Sequence, residues 1–454
     1  MKNESLRNSS HMTPMLKVLG GALFSLFICV AADAQQSSES DRVFEKAYQE
    51  ILKDPGNLDK SFRFTQLAIE RGDFEAAISA LERMLITNPN LPRVRLELGV
   101  LYFRLGSYAL AKSYLESAVK GKDVPPVVRE RVGVFLAKLN ELLSTSKVSG
   151  SASAGIRYQT NANAGPSSSS VLVFGIPAEL DEAYTRQKDG NIFGALNLRH
   201  VYDLETQEQT TLDTDLFVFG SKQSEQDQVD VLFLELVAGP RFRVSSEESG
   251  DTLVRPFVSG NAVHLGDEIL YASLGGGVEV SRRVNEGLGV TLRYDIRKKR
   301  FDDNASRPNA SDEDGVEHSA QVTAAISITQ TINAFARVRL KAHNAWVEYE
   351  ANREYGGLAG VSISYQPPIG NPTRRWLTSF SSELSLLKHD APDPAISSTK
   401  RREDKKWDLR VQTNIPLSEL ISLGVGVTYS RIGSNLPNFE QTNTGVAVSL
   451  NRSF

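Results

Sequence analysis

One cysteine stands among 454 residues. It is Cys29, inside an apolar run near the N-terminus, so the chain beyond that run has no thiol. Disulfide scaffolds, thiolate nucleophiles and cysteine metal sites are thereby excluded. An excess of one charge is also missing. The net charge is -4 with histidine neutral, which gives no electrostatic argument for nucleic acid. No segment after the N-terminal run reaches the roughly 18 consecutive apolar residues of a membrane-spanning helix, so a helical membrane domain is excluded too.

Catalytic signals are equally sparse. The histidines, His11, His200, His264, His318, His343 and His389, are scattered, and none stands in a metal-ligand spacing with another. Serine is common but no G-x-S-x-G elbow occurs. Gly275-Gly276-Gly277 lies in a strand pattern with no helix behind it, so it reads as a close-approach or bend site and not as a phosphate loop. The clusters Asp302-Asp303-Asn304 and Ser311-Asp312-Glu313-Asp314 offer hard oxygen ligands for Ca²⁺. Their spacing is not that of an EF-hand, and they read as solvated surface charge. The expectation is a protein that is not an enzyme and that holds no metal or cofactor.

What is present begins at the N-terminus. Lys2, Arg7 and Lys17 precede the apolar run Val18 to Ala32, which ends in the small-x-small sequence Ala32-Asp33-Ala34. That order predicts a cleaved secretory signal peptide over residues 1–34, with Met12 or Met15 equally serviceable as the start. The alternative, a membrane anchor, has too few apolar residues to cross about 30 Å of hydrocarbon. Bulky Ile28 before Cys29 argues against a lipidated cysteine.

From Asp41 to Leu143 apolar residues recur at helical spacing, and the segment matches itself when slid by a repeat length. Gly72 falls on Gly106, Phe74 on Tyr108, Ala77 on Ala111, Leu81 on Leu115 and Leu85 on Val119. This helix-turn-helix period of about 34 residues is that of tetratricopeptide repeats. Gly99 and Ala111 are the small residues that let two antiparallel helices approach. The aromatic expected near each repeat start is replaced by Ser61 and Arg95. Helices over Asp41–Lys53 and Pro126–Leu143 would cover the open apolar ends. A tetratricopeptide-repeat α-solenoid over 41–145 is predicted, against an ordinary small helical bundle. On its first helices Phe62, Gln66, Ile69, Glu70, Leu96, Val100, Phe103 and Arg104 occupy positions that line a concave, client-binding groove, although some of the apolar ones could be plain core.

After Lys147 the period changes from helical to two. In Thr291–Arg297, Leu292, Tyr294 and Ile296 point one way and Arg293, Asp295 and Arg297 the other. In Ala334–Ala342 the apolar residues oppose Arg337, Arg339 and Lys341. Fourteen such segments start near Val148, Asn191, Gln209, Val229, Thr252, Glu268, Gly287, Gly315, Ile332, Arg353, Arg374, Asp404, Leu420 and Glu440. An even count suits a closed 14-stranded antiparallel transmembrane β-barrel over 147–454. A soluble sandwich would share the alternation. Two signs favour the barrel: links after odd segments are mostly long and those after even segments short, and the last segment ends in Phe454. A terminal strand ending so resembles the signal read by the outer-membrane barrel assembly machinery.

Barrel ends are periplasmic, so the repeats are expected in the periplasm and the long loop behind strand one outside the cell. Arg293, Arg297, Arg337, Arg339 and Lys341 would face the lumen. They form either an electropositive strip for an acidic passenger or, the reading favoured, one half of charge pairs across the wall.

The order of signal peptide, short repeat unit and fourteen-strand barrel resembles the Slam family, the surface lipoprotein assembly modulators. Gly155-Ile156-Arg157-Tyr158-Gln159-Thr160-Asn161-Ala162-Asn163-Ala164-Gly165-Pro166 is similar to that family's strand-one motif, a glycine and tyrosine followed by Asp-Ser-Asn-Val-Asn and a nearby proline. Gln159 stands where Asp is usual and Ala162 where Val is usual. The resemblance implies a non-enzymatic translocon of the outer membrane. Its periplasmic repeats would receive a lipoprotein or other protein client, and its barrel would help deliver it to the surface. The implied partners are that client, outer-membrane lipid and the barrel assembly machinery; nucleic acid is not among them, and the chain is expected to be a monomer. A polysaccharide export barrel and a solute porin are the competing readings.

Overall fold

The structure is a computed structural model of the full chain; it describes residues 41–121, 124–244, 252–304, 307–370 and 372–454. The predicted signal peptide lies outside the described residues. Two compact units divide between Ser144 and Thr145.

Among the described residues the first unit has six helices: α1 over 41–53, α2 (Leu58–Glu70), α3 (Phe74–Thr87), α4 (Pro92–Arg104), α5 (Tyr108–Val119) and α6 (Pro126–Leu142). Their starts follow from local chemistry. The side chains of Asn57 and Asp73 accept from Lys60 N and Ala76 N and cap α2 and α3. Proline opens α4 and α6, where its missing N–H costs nothing. The repeat is visible in the hydrogen bonds. Gly72 and Gly106 both take positive φ, at 76° and 74°. Behind them Asp73 N donates to Ala68 O at 2.8 Å and Ser107 N to Tyr102 O at 2.9 Å, two copies of one helix-ending turn. Gly99 is the close-approach site: a Cβ there would lie 2.5 Å from Leu115 Cγ. One core cluster joins Ala68, Ala77, Leu81, Met84, Val94, Leu98 and Leu101. A second joins Leu96, Val100, Ala111 and Leu115 to Val128, Val132 and Leu139 of α6. Each fully buried aliphatic side chain contributes about 1.5–3 kcal/mol.

The second unit is a closed barrel of fourteen antiparallel strands. They are β1 (Ser146–Gln159), β4 (Asp189–Asp203), β5 (Thr211–Gln223), β6 (Val231–Arg243), β7 (Thr252–Leu265), β8 (Glu268–Arg283), β9 (Leu288–Phe301), β10 (Gly315–Ser327), β11 (Ile332–Ala345), β12 (Asn352–Tyr365), β13 (Trp376–His389), β14 (Glu403–Pro416), β15 (Ile421–Ser434) and β16 (Gln441–Ser453). A small hairpin, β2 (Ser170–Val173) and β3 (Ile176–Glu179), sits in the loop after β1. Every predicted strand is present and each starts within two residues of the expected position. Closure comes from β1, which pairs β4 from Ser146 to Gln159 and β16 from Ser151 to Gln159.

Both barrel ends of the chain lie at one rim, the near rim; β1 runs from it to the far rim. The predicted alternation of loop length holds for the far-rim loops 160–188, 302–314 and 390–402. It fails for 224–230, 266–267, 346–351 and 435–440, none of which is longer than the near-rim links 204–210 and 366–375. The shortest is possible because Gly266 adopts φ 61°, a left-handed turn conformation that needs no further residues.

Outward positions carry exposed apolar side chains, among them Leu292, Tyr294, Ile296, Val338 and Leu340. Exposed Tyr158, Tyr355 and Trp407 stand toward the far rim and Tyr202 and Phe454 at the near rim, as aromatic girdles do at the two edges of a lipid-facing band. Water would not tolerate so much exposed apolar surface, whereas hydrocarbon requires it. Among the described residues no helix is long and apolar enough to cross a membrane.

Candidate functional site

Ion pairs between strands that are not neighbours identify the lumenal face, because only side chains on the concave side can reach past an intervening strand. Arg297 on β9 lies 2.8 Å from Glu235 on β6. Arg255 on β7 lies 2.6 Å from Asp215 on β5, and Arg339 on β11 lies 3.0 Å from Glu383 on β13. Antiparallel register then carries the assignment to every other strand, since paired residues share a face.

Four of the five lumenal cations expected from sequence are neutralised there. Arg297 also reaches Asp295 at 3.1 Å, and Arg293 reaches the same carboxylate at 3.3 Å. Arg339 and Lys341 share Glu354, at 2.9 and 3.9 Å. Arg337 faces the lumen between Thr323 and Leu358 and forms no ion pair among the described residues. The set is therefore a lattice of paired charges and not an electropositive strip. Further inward charges complete it. Asp213, only 1% exposed, holds Arg199 at 2.6 Å and Arg241 at 2.9 Å. Lys299 meets Glu317 at 2.7 Å.

The far rim is built from loops that bond one another. Asn161, buried, clamps its own turn: its Nδ2 donates to Gly165 O at 2.8 Å and its Oδ1 accepts from Gly165 N at 3.0 Å. Asn163 ties the two ends of the loop, donating to Thr185 O at 2.7 Å and accepting from Gln187 N at 2.9 Å. Both asparagines of the junction motif thus hold the rim. The β2–β3 hairpin then crosses to its neighbours. Ser167 N donates to Glu440 O at 2.7 Å, Leu172 and Asn438 exchange bonds of 3.0 and 2.9 Å, and Phe174 N donates to Ala395 O at 2.9 Å.

The acidic clusters also serve this rim. Asp303 accepts from Ser311 N at 2.7 Å, Asp314 from Phe301 N at 2.7 Å, and Glu313 pairs with Arg307. No group of acids or histidines among the described residues is arranged to hold a metal ion. Tyr349 donates to Asp312 Oδ2 at 2.6 Å; that bond, with burial, pushes its hydroxyl up to about 12. Beside it burial, reinforced by Glu313 and Asp393, pushes the Glu350 carboxyl up to about 7, against the pull of Arg402 and Arg307.

In the helical unit the predicted groove residues separate. Leu96 and Val100 belong to the second core cluster, so no client reaches them without opening the fold. Phe103 packs on Tyr108 and Phe135, and Phe62 and Ile69 are half-buried against the first cluster. Gln66, Glu70 and Arg104 are exposed. Arg93 lies over the Phe62 ring, 5.0 Å from its centroid, adding a cation to that surface. Sequence reasoning missed the stacked pair Tyr102 and Tyr114, 5.4 Å apart, whose hydroxyls both donate to Glu82. Burial and that carboxylate push the Tyr102 hydroxyl up to about 12.

The tetratricopeptide-repeat family model matches residues 65–131. No curated protein matches the chain. Among solved structures, an anion-selective porin from Comamonas acidovorans is 10% identical and aligns with 68% of this chain and 99% of its own, at a TM-score of 0.35. An outer membrane channel from Pseudomonas putida F1 is 14% identical over 68% of this chain and 96% of its own, at 0.34. The Yersinia enterocolitica type III secretion chaperone SycD, solved with a peptide of the translocator YopD, is 15% identical over 27% of this chain and 96% of its own, at 0.22. The chain thus joins a helical unit matched by the tetratricopeptide-repeat family model to a closed barrel of fourteen antiparallel strands.

Proposed function

We propose that this chain is an outer-membrane translocon that delivers protein clients, surface lipoproteins among them, to the cell surface, its repeats receiving the client in the periplasm. The observation that carries the reading is the direct joining of a short repeat unit to the rim where the barrel begins and ends. Only residues 143–145 separate α6 from β1, a link of at most about 10 Å. The repeat unit therefore leads into the first barrel strand through three residues of chain. The exposed Gln66, Glu70 and Arg104, with Arg93 over Phe62, offer a polar and cationic surface for an extended segment. The half-buried Phe62 and Ile69 supply its apolar contacts.

The paired lumenal charges count against polysaccharide export, for which a ring of like charge is expected. They are compatible with a solute channel, which would conduct ions in planar bilayers with no client present. Deleting residues 41–143 and measuring the surface exposure of co-expressed lipoproteins by antibody binding on intact cells tests the proposal. Lost display with the barrel still assembled is the expected result; unchanged display overturns it.

A further inference from the structure

The lumenal wall has two unequal parts. From β4 round to β13 acid and base interdigitate. On β15, β16 and β1 no inward position carries a carboxylate. At the two edges of this carboxylate-free panel stand Arg157 on β1 and Arg410 on β14.

Register places them close in height. Arg157 is level with Ala447 and Gly426, and Arg410 with Thr428 and Gly445. The floor between the two guanidiniums is thus made of two glycines, an alanine and a threonine. It is sunk relative to the charges on either side. Neither arginine has an ion pair among the described residues. The charged group that acts on Arg157 is another cation, Arg410. Asp408, the next inward acid on β14, is taken by Lys406 at 3.0 Å. Arg157 lies over the Phe193 ring at 5.8 Å, and its Nε is buried with no hydrogen-bond partner. Arg410 is exposed to the lumen. Guanidinium has five donors and no acceptor, so two of them flanking a floor whose one acceptor side chain is a threonine hydroxyl are suited to an oxyanion held by forked bonds.

We infer that Arg157 and Arg410 form an oxyanion-binding site on the lumenal wall, taking a carboxylate or phosphate group over the Gly426, Thr428, Gly445 and Ala447 floor. The site stands on lumenal geometry alone and holds whatever the passenger of the barrel. The carboxylate or phosphate can come as a free anion or as an acidic side chain of a passing polypeptide.

The test uses the full-length protein in detergent micelles, titrated with inorganic phosphate and followed by phosphorus NMR line broadening. Saturable binding is expected. R157Q and R410Q should each weaken it about tenfold or more, as loss of a charged donor does. R337Q, which changes a lumenal arginine outside the panel, should leave it unchanged. R157K and R410K keep the charge but lose the fork, and should fall between. They also control for barrel assembly, read as heat-modifiable migration in electrophoresis. Hexaglutamate that displaces phosphate identifies a site open to polypeptide carboxylates; failure to displace identifies a site for free anions. Absence of saturable phosphate binding in the wild type, or equal binding in R157Q and R410Q, overturns the inference.

Discussion

Three glycines of the helical unit should respond to alanine with different signs, for reasons set by what surrounds each. At Gly99 the new Cβ would lie 2.5 and 2.7 Å from Leu115 Cγ and Cδ2 and 3.2 Å from Ala111 O. Leu115 is fully buried and has nowhere to go. Overpacking of this kind costs about 1–3 kcal/mol, here toward the upper end, and the helix propensity of alanine returns about 1 kcal/mol. The net is a loss of about 2 kcal/mol, or roughly 8–16 °C in the melting of a unit this size. Gly133 lies inside α6, exposed, with nothing within 4 Å of its Cβ position, so Gly133→Ala keeps the propensity gain alone and raises the melting temperature by a few degrees. Gly106→Ala has space, but its φ of 74° is strained for alanine, and a loss of about 1 kcal/mol follows. Thermal melts followed by helical ellipticity in the far ultraviolet measure all three. A Gly99→Ala variant as stable as the wild type, or a Gly133→Ala variant less stable, refutes the packing argument.

Two further outcomes are expected. Glu350 has its folded value raised from 4.5 to about 7, so its neutral form stabilises the rim; that contribution is full below about 4.5 and is lost as pH rises through about 7. Protection of the 346–351 amides, their exchange rate relative to the base-catalysed open-chain rate at each pH, should therefore fall between mildly acidic and mildly alkaline pH, and Glu350→Gln should abolish that fall; an unaltered protection profile in that variant counts against the assignment. Arg297→Met leaves Glu235 and Asp295 facing each other with Arg293 as the remaining cation at 3.3 Å. The barrel should lose roughly 2–3 kcal/mol, less than the about 3–5 kcal/mol of a dry pair because Glu235 keeps some contact with lumenal solvent. A lower urea midpoint in detergent is the readout, and an unchanged midpoint would show the pair to be energetically idle.

What could be read from sequence followed from the solvent on each side of an element. Strands such as Leu288–Phe301 face hydrocarbon with one side and water with the other, and period two is then compulsory; hence the agreement in all fourteen strands. The repeat register was legible because Gly72 and Gly106 occupy the same strained turn. Pairing partners were not legible. Arg297 finds Glu235 because barrel curvature brings β6 and β9 together on the concave side, and no spacing along the chain encodes that. Asn161 is similar: its local clamp on Gly165 is a short-range matter, but its N–H also donates to Asn443, 282 residues away. Leu96 and Val100 stand at first-helix positions that can either line a concave groove or join the core, and the sequence alone does not choose. Packing of α6 against them makes both core.

The hairpin behind β1 has a consequence for the order of assembly. Its partners, Glu440, Asn438 and Ala395, arrive late in the chain, and the Leu172–Asn438 bonds join residues 266 apart. Meeting them in an open chain carries the full entropic cost of closing so long a loop. Once β16 has docked on β1 that cost has already been met by the ladder, and the hairpin can settle for little more. A settled hairpin is therefore a seal applied after closure: reagents or antibodies that bind its folded form would count completed barrels and ignore those still open.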